Sequence, residues 1–184
     1  EEVEGWHDAN LLNLLEMLAV KNGPRLIGRC SRLHNPDSNY DYREEIYKAA
    51  ISGKVVIIDQ STGSEKENKL AADRIAKYIF KANSSVFSRG VEPPPILLYI
   101  EEAHNSLPAG DKQDSENTWI QVAKQGSKFA VGMVYSTQEI TAIHKSILSQ
   151  TDNFFVSYIN NKNELRVLSD YLDFEDFIPS IAIS

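Results

Sequence analysis

Apolar residues along the chain recur with two different periods, and the changes from one to the other mark out the elements. Leu11, Leu14, Leu15 and Leu18 lie at the spacing of one helix face, with Asp8 placed to cap the helix and Gly23-Pro24 to stop it. Asp41 and Glu44 then form a capping-box-like start to a short helix ending at Gly53. The β-branched run Val55-Val56-Ile57-Ile58-Asp59 predicts a buried strand that ends in the polar loop Gln60-Ser61-Thr62-Gly63. From Glu65 to about Arg89, Ala72, Ile75, Ala76, Ile79 and Phe80 share one face, which predicts a crossover helix. Pro93-Pro94-Pro95 introduces Ile96-Leu97-Leu98-Tyr99-Ile100, an apolar run of the kind that forms a buried strand.

The pattern then repeats. A polar loop through Asp114 leads to a helix with Trp119, Val122 and Ala123 inward and Gly126 at its end, followed by a strand from Ala130 to Thr137. A helix carrying Ile140, Ile143, Ile147 and Leu148, a strand from Asn153 to Ile159, and a helix with Leu165, Leu168 and Leu172 complete the series. The tail Phe177 to Ile183 starts what reads as another strand. Strand, helix and strand at this spacing predict an α/β fold with a mainly parallel sheet flanked by helices. We expect positions 1–53 to form a helical segment or subdomain and 54–184 the α/β part.

Composition narrows the class. A chain of 184 residues, 42% hydrophobic and 24% charged, fits one globular domain or a large piece of one. The lone Cys30 excludes an internal disulfide framework and reads as a structural thiol. No apolar run is long enough to cross a bilayer, so we expect no membrane association and a cytoplasmic location. A formal charge of -7 argues against binding nucleic acid through the whole surface, so any such contact must be local. Arg25, Arg29 and Arg32 would share a basic face on a helix, suited to a DNA or partner contact or to a solvated surface.

The chemistry gathers at two strand ends. Glu101-Glu102 leaves one predicted strand and Ser136-Thr137-Gln138 the next, and in a parallel sheet both emerge at the same edge, where ligands bind. A carboxylate there can hold magnesium or its waters and orient an attacking water, and a neutral amide can position a terminal phosphate. Adjacent residues on a strand point to opposite faces, so Glu101, Glu102 and His104 converge poorly on a metal, and His104 reads as a loop-packing residue. His7, His34 and His144 have no partners at ligand spacing.

The order of a strand ending in Asp59, a crossover helix, the strand ending Ile100-Glu101-Glu102-Ala103-His104-Asn105, the turn Gly126-Ser127-Lys128-Phe129 and the strand ending Tyr135-Ser136-Thr137-Gln138 resembles the HerA/FtsK family of double-stranded DNA translocases, closest to HerA-type ATPases. The resemblance runs from about position 54 to 170. It implies the carboxyl-terminal part of a RecA-like P-loop NTPase core that uses ATP and Mg2+. Glu102 would be the Walker B glutamate that polarises the attacking water, Glu101 would stand in for the magnesium-associated aspartate, and Gln138, beside Thr137, would sense the terminal phosphate. The implied partners are double-stranded DNA, other copies in a homo-hexamer, and a nuclease or other effector protein.

Three departures accompany the match. Glu101 replaces the family's aspartate, Ser127 occupies the position of an arginine that reaches a neighbouring subunit, and no Gly-x-x-x-x-Gly-Lys-Ser/Thr occurs in the chain. Lys128 or Lys124 would have to supply the inter-subunit charge, without the planar fork of arginine. The Walker A loop is expected upstream, which would make this chain alone inactive. Two alternatives stand beside a HerA-like ATPase: a scaffold whose nucleotide site has decayed and which oligomerises or recruits a nuclease, and a helicase of the Asp-Glu-Ala-His group, which Glu101-Glu102-Ala103-His104 echoes.

Overall fold

The structure, a computed structural model, describes residues 15, 16, 18–20, 40–61, 63–107, 117–159 and 161–171. Two compact units divide it, Glu1–Tyr40 and Asp41–Ser184. In the first, Leu15, Glu16, Leu18 and Ala19 are helical, as their spacing predicts. Arg25, Arg29, Arg32, His7, His34 and Cys30 lie outside the described residues, as do the loop through Asp114, Leu172 and the tail from Phe177.

The second unit begins with helix α1, Tyr42–Ile51, where the Asp41 carboxylate accepts from the Arg43 backbone at 3.0 Å and pairs with its guanidinium at 2.6 Å. Helix α2, Glu65–Ser88, starts at a capping box in which Ser64 and Glu67 each accept from the other's backbone N–H. Strand β1, Ile96–Ile100, the single turn α3, Ala103–Ser106, and helix α4, Thr118–Gln125, follow. A 3₁₀ turn at Gly126–Phe129 leads into β2, Val131–Tyr135. After a second 3₁₀ turn at Ile140–Ala142 come α5, Lys145–Leu148, and α6, Lys162–Ser169.

β1 and β2 pair in parallel, with Ile96 opposite Val131 and Ile100 opposite Tyr135. Side chains alternate across the pair, and the face carrying Ile96 and Val131 packs on Ile75, Ile79 and Phe80 of α2 and Val122 of α4. Beside it, Ala76, Ala103, Leu107, Trp119, Ile120, Ile143, Ile147 and Leu148 form a second cluster beneath the carboxyl ends of the strands. Asn83, fully buried on α2, donates to the carbonyls of Pro94 at 2.9 Å and Phe129 at 2.8 Å and accepts from the Tyr47 hydroxyl at 2.9 Å. It ties both helices to the approaches to both strands.

Several expectations need correction. The apolar run of β1 predicts burial on both faces, yet Leu97 and Tyr99 are 67% and 61% exposed, because the helices described here cover one face only. Val55 to Asp59 is extended without strand pairing, with Val55 90% exposed, and Phe155 in the second predicted strand is 99% exposed. A strand exists by pairing, and among the described residues neither run lies in a ladder with β1 or β2. The single helix predicted through Ile140 and Leu148 is two short turns. His144 breaks it with extended backbone, its backbone N–H reaching the Leu107 carbonyl at 3.0 Å.

Candidate functional site

The parallel pairing brings the two polar strand ends together. Beyond the last strand residues, the Ser136 N–H donates to the Ile100 carbonyl and the Ala103 N–H to the Ser136 carbonyl, each at 2.9 Å, so the register continues into the loops. Glu102 sits between these bonds with φ 48° and ψ 51°, a left-handed conformation. For a residue with a side chain this costs about 1–2 kcal/mol, and the flanking hydrogen bonds hold it there. The backbone turns sharply at Glu102, and its carboxylate meets the second strand end.

Gln138 Nε2 donates to Glu102 Oε1 at 3.2 Å, so the carboxylate and the amide paired by the sequence reading are in contact. Both are exposed, open to a ligand from solvent. Thr137 Oγ1 accepts from the Glu139 N–H at 3.0 Å and lies 3.2 Å from its carbonyl, closing a tight turn. Glu101 is exposed and makes no hydrogen bond among the described residues. Among those residues no group of three His, Cys, Asp or Glu side chains gathers as a metal cage, but two adjacent exposed carboxylates are hard oxygen donors of the kind magnesium takes through one or two ligands and its own waters.

His104 was missed as a member of this site. It is two residues past Glu102, with Nδ1 at 3.4 Å from Glu102 Oε2 and 3.3 Å from Thr137 Oγ1. The sequence signal was its position two residues beyond the glutamate, which reaches the carboxylate only because Glu102 takes the left-handed turn.

Lys128 is placed elsewhere. It lies at the opening of β2, the far end of the strand from Gln138, and its ammonium sits over the rings of Phe87 at 5.2 Å and Phe129 at 5.6 Å. Lys124 is exposed in the last turn of α4. Gly126 starts the turn, where a Cβ would lie 2.3 Å from the Val131 carbonyl oxygen, so the chain can pass over its own strand only with glycine there. At Asp59 the carboxylate accepts from the Ser61 N–H at 2.9 Å, which holds it below the usual carboxylate range.

Comparison with known proteins supports the family drawn from the motif order. The chain is 39% identical over 59 residues to a probable DNA double-strand break repair helicase HerA of Methanocaldococcus jannaschii, a stretch covering 32% of this chain and 12% of that protein. It is 33% identical over 70 residues to the DNA double-strand break repair helicase HerA of Pyrococcus furiosus, covering 38% and 13%. Over these stretches the chain is similar to HerA helicases. The HerA likeness spans only about an eighth of each curated relative. No protein-family model matches the chain. Among solved structures, the genome packaging NTPase B204 of Sulfolobus turreted icosahedral virus 2, in complex with AMPPCP, aligns with a TM-score of 0.50 at 21% identity, over 70% of this chain and 57% of that one. That likeness is one of fold alone, an α/β arrangement of helices on a parallel sheet.

Proposed function

We propose that this chain carries the Walker B and sensor half of the nucleotide site of a HerA-like, ATP-driven translocase of double-stranded DNA. The contact between Glu102 and Gln138 is the observation that carries the reading, since it sets a water-polarising carboxylate and a phosphate-sensing amide side by side at the carboxyl edge of a parallel sheet. Glu102 takes the proton of the attacking water, and Gln138 positions the terminal phosphate oxygens. Glu101 would hold magnesium through water, and the ion when bound neutralises charge on the phosphates. A phosphate-wrapping loop from outside this sequence would complete the site, and the working assembly is a hexameric ring. In the full-length protein with magnesium, Glu102→Gln should abolish ATP turnover and leave nucleotide affinity within a few-fold of wild type. Turnover at the normal rate would refute the role of Glu102.

A second reading, a scaffold that has lost turnover and recruits a nuclease, draws on the engagement of Lys128 by two aromatic rings, which leaves the turn without an extended cation. ATP hydrolysis by the wild-type full-length protein would eliminate it.

A further inference from the structure

We propose that His104 is a positioning residue that orients the Glu102 carboxylate by latching it to the end of β2. The proposal rests on the ATPase reading above. Glu102 presents each carboxylate oxygen to a different neighbour: Oε1 accepts from the Gln138 amide at 3.2 Å, and Oε2 faces His104 Nδ1 at 3.4 Å. The same Nδ1 lies 3.3 Å from Thr137 Oγ1. That hydroxyl has one proton, and its 3.2 Å approach to the Glu139 carbonyl occupies it. Oγ1 is then an acceptor toward the ring, so Nδ1 carries the hydrogen and donates it to the threonine oxygen, with the positive edge of the ring 3.4 Å from the Glu102 carboxylate. The imidazole thereby spans the two strand ends.

The surroundings make the arrangement directional. The His104 side chain is 22% exposed and the Glu102 side chain 50%, so the ring is the packed partner and the carboxylate the accessible one. An exposed glutamate left to itself samples several rotamers, and a residue that polarises one water must present one oxygen in one direction. Gln138 restrains one oxygen of the carboxylate, and His104 restrains the other. A ring that only filled space would not need a donor nitrogen at this point.

The test uses the full-length protein, comparing steady-state ATP hydrolysis of wild type, His104→Ala, His104→Asn and Glu102→Gln. Asparagine can place an amide N–H close to where Nδ1 stands, while alanine offers no donor. His104→Ala should lower kcat roughly ten- to hundredfold with KM for ATP within twofold, the signature of a misplaced catalytic group, and His104→Asn should recover most of the loss. Equal kcat in wild type and His104→Ala, with Glu102→Gln inactive, would overturn the positioning role alone. An asparagine variant as impaired as alanine would show that the ring acts by packing. Full turnover by Glu102→Gln would overturn the ATPase reading and this proposal with it.

Discussion

Replacing Asn83 with leucine tests the physical basis of the strand register most directly. Leucine has the same branching as asparagine and is larger, so the change removes hydrogen bonds without opening a cavity. It leaves the carbonyls of Pro94 and Phe129 without the donor amide that meets them at 2.9 and 2.8 Å, and the Tyr47 hydroxyl without its acceptor. A buried polar group stripped of its partner costs about 1–3 kcal/mol. Tyr47 is only partly buried and can turn to water, so the two carbonyls dominate and the expected loss is about 2–4 kcal/mol. Urea unfolding followed by circular dichroism measures it, the midpoint dropping by about 1–2 M for a slope typical of this size. Asn83→Asp should lose at least as much, because a carboxylate would face two carbonyl oxygens where the amide now donates. A loss below about 0.5 kcal/mol for leucine would show that the clamp adds nothing beyond shape.

Two further outcomes follow from the geometry. Gly126→Ala should destabilise by about 1–3 kcal/mol in the same assay, since its Cβ would lie 2.3 Å from a backbone oxygen that cannot move without disturbing β2; an unchanged midpoint would refute the close approach. Burial raises the Tyr135 phenol above its ordinary value of 10.0, against a lowering hydrogen bond with Thr151 at 2.7 Å, so the folded state holds this proton more tightly than the unfolded. The associated stability is complete below pH 10.0 and is lost as pH rises through the folded value, and Tyr135→Phe should flatten that alkaline decline in urea midpoints; parallel pH profiles would count against it.

How much was legible varies by element, for reasons particular residues show. Helix α2 could be read because its five inward residues, Ala72, Ile75, Ala76, Ile79 and Phe80, are local in sequence, and local signals survive whatever packs around them. Val55 to Asp59 and Asn153 to Ile159 have strand composition, but pairing depends on a neighbour, and among the described residues the first run has none and the second pairs only by an isolated bridge at Ile159. Glu102 and Gln138 were paired in advance because parallel strands deliver their ends to one edge. His104 was read as packing because its role depends on one left-handed residue, and no periodicity signals a positive φ on glutamate.

By itself, the sequence determined the capped helix start at Asp41, the inward face of α2, the strand Ile96–Ile100, a second strand lying within Ala130 to Thr137, and the delivery of Glu102 and Gln138 to a shared edge, because capping, period and parallel topology are carried by residue type and order. Tertiary structure alone decided which strand face is covered, which lysine is held against aromatic rings, and that an imidazole 3.4 Å from Glu102 completes the group of side chains around it. Those are relations between residues far apart in the chain, 41 positions in the case of Phe87 and Lys128, and they exist only once packing has set one element against another.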